Sequence, residues 1–223
     1  MRSISTIVIF LFLSSCKSGT TKSDRIELLS KNSRPQTFKL VDSLGTVTIN
    51  VSNRYDSFFQ WTNTSDCGKP CDHEQYRFQP KYLPVFKESG FYYDTPANIY
   101  DSTEQFTIVH SGYFPFHDGA DSSFIYNINY HQKQNLLNRP ATYKIASDTV
   151  QKINGRYFSI ITIDLFDSIK KIYSKRVIGS TTIKGNGIEF NYELLTKKQD
   201  SITSNFIKNS VELLKTVRLS NGL

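Results

Sequence analysis

The dipeptide Asn154-Gly155 sits between two apolar runs, residues 142–151 and 157–164. Both residue types accept positive φ, so the pair closes a tight turn whose twist matches two antiparallel strands. That fixes a hairpin, and the pattern continues beyond it. Residues 172–182 are rich in β-branched side chains and predict a third strand. Gly185-Asn186-Gly187 turns the chain into Ile188-Glu189-Phe190-Asn191-Tyr192-Glu193-Leu194, where apolar and polar residues alternate as on a half-buried strand. Four strands in this order predict an antiparallel meander. A closing helix is predicted over residues 201–217, with Asp200 as its cap. Its apolar stripe runs through Ile202, Phe206, Leu213 and Val217, widened by Ile207, Val211 and Leu214. An amphipathic helix laid on an antiparallel sheet is an α+β sandwich.

Upstream, residues 36–51 predict a second hairpin turning around Ser43-Leu44-Gly45. Residues 121–138 predict a helix capped by Asp121 or Ser122, with Phe124, Ile128, Leu136 and Leu137 near one face. Between them, residues 54–120 read as an irregular, aromatic-rich segment holding short strands such as residues 57–61 and 105–109. The chain has 16 Phe, 13 Tyr and one Trp, and most of these fall between Tyr55 and Tyr130. Residues 24–223 are thus expected to form a single α+β domain. Its antiparallel sheet, the C-terminal meander plus the N-terminal hairpin, is expected to be covered by helices.

The closing stretch Phe190-Asn191-Tyr192-Glu193-Leu194-Leu195, entering a helix with Phe206-Ile207 and ending Leu213-Leu214-Lys215-Thr216-Val217, resembles the PsbP/Mog1-like fold. The resemblance covers residues 121–218 and is one of element order. It implies a PsbP/Mog1-like sandwich and a small accessory or assembly protein, often lipid-anchored in bacteria, with no chemistry of its own.

The first residues carry an address. Met1-Arg2 supplies one positive charge, and residues 4–13 form an apolar run. A spanning helix needs about 20 apolar residues, so this run is too short and reads as a secretory signal over residues 1–15. Leu13-Ser14-Ser15-Cys16 resembles the lipobox of bacterial lipoproteins. That resemblance implies cleavage before Cys16, lipid on the Cys16 thiol, and a membrane as partner through this anchor. The cell envelope is then the expected location. Residues 16–23 are small and polar and suit a flexible tether.

The formal net charge is +7, and the excess lies late in the chain. Residues 139–223 hold 14 Lys and Arg against 7 Asp and Glu, whereas residues 16–138 hold 12 against 13. A basic half suits anionic head groups or an acidic partner, and the scatter of the charges suits a solvated surface. An envelope address excludes nucleic acid as a partner. Charged residues at 21% with 38% hydrophobic residues mark a globular body.

Cys67-Gly68-Lys69-Pro70-Cys71 is the sharpest local motif. In an oxidising compartment two cysteines four apart predict a disulfide, and Gly68 and Pro70 can bend the loop. A metal reading would recruit Asp66, Asp72, His73 and Glu74, but it lacks the second couple typical of zinc sites. A redox reading lacks the two-residue spacing. His73, His110, His117 and His131 share no ligand spacing, and the His117-Asp118-Gly119-Ala120-Asp121 run reads as a turn entering a helix. No metal, no cofactor and no catalytic residue is nominated. An exposed aromatic groove around Trp61, Tyr76, Tyr92 and Tyr93 is the candidate ligand-binding feature.

Two functions of different class follow. One is a non-enzymatic envelope lipoprotein that binds or supports another envelope protein or ligand. The alternative is an envelope hydrolase whose site is assembled from residues remote in sequence.

Overall fold

The computed structural model describes residues 32–68, 71–83, 102–111, 122–138 and 144–220. The expectations for the signal, Cys16, the tether, Tyr92, Tyr93 and His117 lie outside the described residues. Strands β1 (Ser33–Lys39) and β2 (Thr46–Ser52) flank a 3-10 turn at Val41–Ser43, and β3 (Ser57–Asn63), β4 (His73–Gln79) and β5 (Ser102–Ser111) follow. Helix α1 (Ser122–Leu137) leads to β6 (Ile145–Ile153), β7 (Arg156–Asp167), β8 (Ile172–Ile183) and β9 (Asn186–Thr196). Helix α2 (Ser201–Leu214) and a short β10 (Arg218–Ser220) close the described chain.

These strands form two antiparallel sheets. One has three strands in the order β1-β2-β10, and the other has seven in the order β3-β4-β5-β9-β8-β7-β6. This overturns the expected fold class, a PsbP/Mog1-like α+β sandwich with a helix-covered sheet. Among the described residues the fold is mostly β, 56% strand with only two helices.

Three physical causes account for the difference. First, the aromatic segment is not irregular throughout: β3, β4 and β5 all come from it. In β4 the aromatics Tyr76 and Phe78 alternate with Gln75, Arg77 and Gln79, the two-residue period of a strand. Second, the early hairpin does not extend the meander. It pairs with β10, with Leu219 opposite Val47, and so makes a sheet of its own. Third, α2 stops at Leu214, short of the expected residue 217. The Thr216 hydroxyl donates to Leu213 O at 2.6 Å and accepts from Asn50 N at 2.9 Å, which draws the chain out of the helix and onto β2.

Local chemistry sets the turns. Asn154 (φ 46°) and Gly155 (φ 92°) close the β6–β7 hairpin in the left-handed region. The Asn154 amide also donates to Lys215 O and Val217 O, at 3.2 and 2.7 Å, tying the hairpin to the end of α2. Asp200 caps α2 by accepting from Thr203 N at 2.9 Å.

The seven-stranded sheet has two covered faces. On one, Tyr76, Phe78, Phe106, Ile108, Phe190 and Tyr192 form a core with the inner residues of the small sheet, Val47, Ile49 and Val51, and with Phe206, Leu213 and Leu214 of α2. Phe106 stacks on Tyr192 with centroids 4.2 Å apart. On the other face α1 packs over β6, β7 and β8, where Leu136 meets Ile161, Ile163 and Ile178.

Candidate functional site

The α1-covered face changes character along the sheet. From β9 to β3 it carries many polar side chains, with Val109, Phe59 and Trp61 among them. Cross-strand register places Trp61 opposite Gln75, and Phe59 opposite Arg77. Arg77 in turn lies opposite Thr107, and Thr107 opposite Asn191. Directly opposed residues share a face, so these side chains form rows across β3, β4, β5 and β9. Gln75, Arg77 and Gln79 are each 2% exposed, and Thr107 is 6% exposed.

The β8–β9 part of this polar region is satisfied internally. Arg176 Nε donates to Asn191 Oδ1 at 2.8 Å and lies 3.2 Å from Glu193 Oε1. Gln105 Nε2 donates to Glu193 Oε2 at 2.7 Å. Gln132 of α1 donates to Ser180 Oγ and to Glu189 Oε2. Burial raises the Glu189 carboxyl above its usual range, Arg176 opposes that shift, and Glu193 adds to it.

The β4–β5 part is different. Gln75 Nε2 and Thr107 Oγ1 are buried with no hydrogen-bond partner. A buried polar group left unpaired costs about 1–3 kcal/mol, so such atoms call for an explanation. Beside them the Arg77 guanidinium lies over the half-buried Trp61 ring, 4.6 Å from its centroid, a cation–π contact. The arrangement offers one donor from Gln75, a hydroxyl from Thr107, a delocalised cation and an indole within one patch. All four side chains lie on one face of the sheet, in register across β3, β4 and β5.

The expected aromatic groove does not assemble as such. Tyr76 is 0% exposed and sits on the opposite face from Trp61, stacked on Phe38 with centroids 5.0 Å apart. It is a core residue, its hydroxyl 3.4 Å from His110 Nε2. Burial, with Glu74 adding to it, pushes its pKa up to about 12. Trp61 does lie at a polar face, whereas Tyr92 and Tyr93 are outside the described residues. Sequence reasoning missed Gln75, Arg77 and Thr107. The alternation within residues 73–79 was the signal that could have found the first two.

Cys67 and Cys71 are joined by a disulfide, with Cα atoms 5.9 Å apart, in the β3–β4 connection. Asp72 accepts from Ser65 N at 2.8 Å and thereby closes the same loop. Glu74 accepts from Gln60 Nε2 and Thr62 Oγ1 across the β3–β4 ladder. Asp72 and Glu74, two of the acids in the metal reading, are thus engaged elsewhere. Among the described residues no group of three or more His, Cys, Asp or Glu side chains could hold a metal ion.

No family model matches this chain, and no curated protein matches it.

Proposed function

We propose that this chain is a lipid-anchored protein of the bacterial cell envelope that acts by binding, and that the polar patch on β3–β5 is where its partner docks. The observation that carries the binding reading is the pair of buried, unpartnered groups, Gln75 Nε2 and Thr107 Oγ1, beside the Arg77–Trp61 stack. Polar atoms kept buried without partners cost stability, and recognition is a reason for a fold to carry that cost. Trp and Arg are also the side chains that dominate binding hot spots. The anchor reading rests on Leu13-Ser14-Ser15-Cys16, and a tether of this kind raises the effective concentration of neighbours at the membrane.

Two measurements test the two parts. Metabolic acyl labelling should mark the wild type and vanish in Cys16→Ala, and persistent labelling would end the anchor reading. Crosslinking pull-down from intact envelopes should recover a specific component with the wild type and lose it with Trp61→Ala, in protein whose thermal unfolding shows it is folded. Equal recovery by Trp61→Ala would end the assignment of the binding face.

A further inference from the structure

The ends of the seven-stranded sheet differ sharply. At one end lie the β6–β7 and β8–β9 turns. At the other lies the β7–β8 turn, residues 168–171, with Phe166 opposite Tyr173 and Tyr173 opposite Thr196. The start of β3, the end of β4 and the start of α2 lie at this second end too.

Exposed apolar side chains collect there. Nine large apolar side chains are exposed among the described residues. Five of them, Phe58, Tyr82, Phe166, Ile169 and Ile202, belong to segments at this end, and α1 runs toward it and closes on a sixth, Leu137. Ile169 is 92% exposed, at the tip of a turn where small polar residues are the usual choice. Phe166 and Tyr173 pack behind it as a tilted pair with centroids 4.6 Å apart.

Lysines surround them. Lys170 and Lys171 share the tip with Ile169, and Lys81, Lys144, Lys197 and Lys198 are exposed at the same end. The acids here are held by other groups. Asp167 accepts from the backbone of Ile169 and Lys170, both at 2.9 Å. Asp164 pairs with Lys175 at 2.6 Å, and Glu104 pairs with Arg54 at 2.6 Å. Asp200 caps α2, and Asp56 accepts from Lys81 N.

The first described strand begins at this end as well. Ser33 pairs with Ser52, and Arg34 donates to Tyr55 O at 2.6 Å. Arg54, next to Tyr55, reaches Glu104, two residues from the start of β5. The opposite end of β1–β2 lies by the β8–β9 turn, where Lys184 Nζ donates to Ser43 O. Sixteen residues, 17–32, separate Cys16 from Ser33. In any conformation they span at most about 55 Å.

We propose that this end of the molecule is a membrane-docking surface for an anionic bilayer, with Ile169 entering the interface and the lysines meeting lipid head groups. The inference builds on the lipid-anchor reading, because the first described strand starts at this end and the anchor would keep the whole domain within reach of the bilayer. Exposed apolar residues ringed by lysine are the composition of an interfacial contact, where apolar burial and attraction to anionic head groups add. Lysines also stand at the opposite end, by the β6–β7 and β8–β9 turns, but these exposed apolar side chains do not.

The test uses the full chain in vesicles of equimolar phosphatidylcholine and phosphatidylglycerol. An environment-sensitive fluorophore is placed on Ile169→Cys, and in a second protein on Gly187→Cys at the start of β9, beside the β8–β9 turn, where an added side chain meets nothing within 4 Å. The expected result is a blue shift and quenching by lipid-borne quenchers at position 169 and neither at 187. Lys170→Ala with Lys171→Ala should lower the docked-to-undocked ratio about 30-fold, at roughly fivefold per lysine. Acylation of Cys16, read by mass on the same samples, separates the two readings. An acylated protein whose label at 169 stays in water overturns docking and leaves the anchor standing. An unacylated protein that still buries the label upholds docking without the anchor. Protection of the label only in native envelopes, and not on vesicles, would assign this end to a protein partner and overturn the proposal.

Discussion

The two methyl carbons of Leu214 lie 2.5 and 2.7 Å from the point where a β-carbon on Gly179 would stand. Helix α2 therefore rests on β8 at a distance that only glycine permits. Gly179→Ala should destabilise the fold by about 1–3 kcal/mol through overpacking, since Leu214 is fully buried and cannot swing into solvent. Leu214→Ala alone should cost about 2–5 kcal/mol. The double variant should lose clearly less than the sum of the two, because the smaller residue at 214 makes room for the methyl at 179. Urea unfolding of the four proteins measures this, and strict additivity would count against the contact.

The Cys67–Cys71 link closes a very small loop. Mass spectrometry of the protein purified without reductant should find these two cysteines joined. Cys67→Ser with Cys71→Ser should cost about 2 kcal/mol in the chain-entropy picture and leave the sheets intact. Far-ultraviolet circular dichroism and thermal unfolding report the two effects separately. Loss of the β signal would mean that the bridge holds more than its own loop.

Glu189 sets a pH dependence. Burial places its carboxyl above the usual range in the folded state, so folding favours its protonated form. Its contribution to stability is then complete below the carboxyl value of the unfolded chain and is lost as pH rises through the higher folded value. Glu189→Gln keeps an acceptor for Gln132 and removes this loss. The variant should melt above the wild type near neutral pH, and the two should converge in acid. Melting curves across that range decide it, and a variant that is less stable at neutral pH would reverse the sign argued here.

Thr107→Val removes a buried hydroxyl that has no partner and keeps the shape of the side chain. It should stabilise the protein by about 1 kcal/mol while reducing recovery of the bound component in the pull-down. Gain of stability with loss of binding is the pattern expected of a recognition residue. Loss of stability would show that the hydroxyl serves the fold.

Much of the second half of the chain was legible in the residues. Asn154-Gly155 marks a turn because few other pairs tolerate two left-handed positions; β7 and β8 follow from their apolar and β-branched runs, and β9 from alternation. Residues 73–79 show in the sequence the alternation of a strand, but not the burial of both its faces. Gln75, Arg77 and Gln79 look like a surface in the sequence and are buried in the fold. β10 has three residues, too few for any period to be read. Its existence depends on Thr216 meeting Asn50, a contact 166 positions apart. The fold class failed for the same reason: which strands share a sheet is a long-range property. The candidate site was half visible. Trp61 was picked out by its size and chemistry, but its neighbours came from register across three strands.

The sheet order also fixes when the fold can be completed. β5 at residues 102–111 has β4 on one side and β9 at residues 186–196 on the other. The small sheet waits longer still, since β2 needs β10 at residues 218–220. Non-local pairings of this kind fold slowly, because a long loop must close before any contact rewards it. In a chain emerging N-terminus first, the meander of β6 to β9 is the local unit able to assemble soonest. The earlier strands would then wait with open edges until β9 has emerged to receive β5, a window in which they are available to a chaperone or to one another.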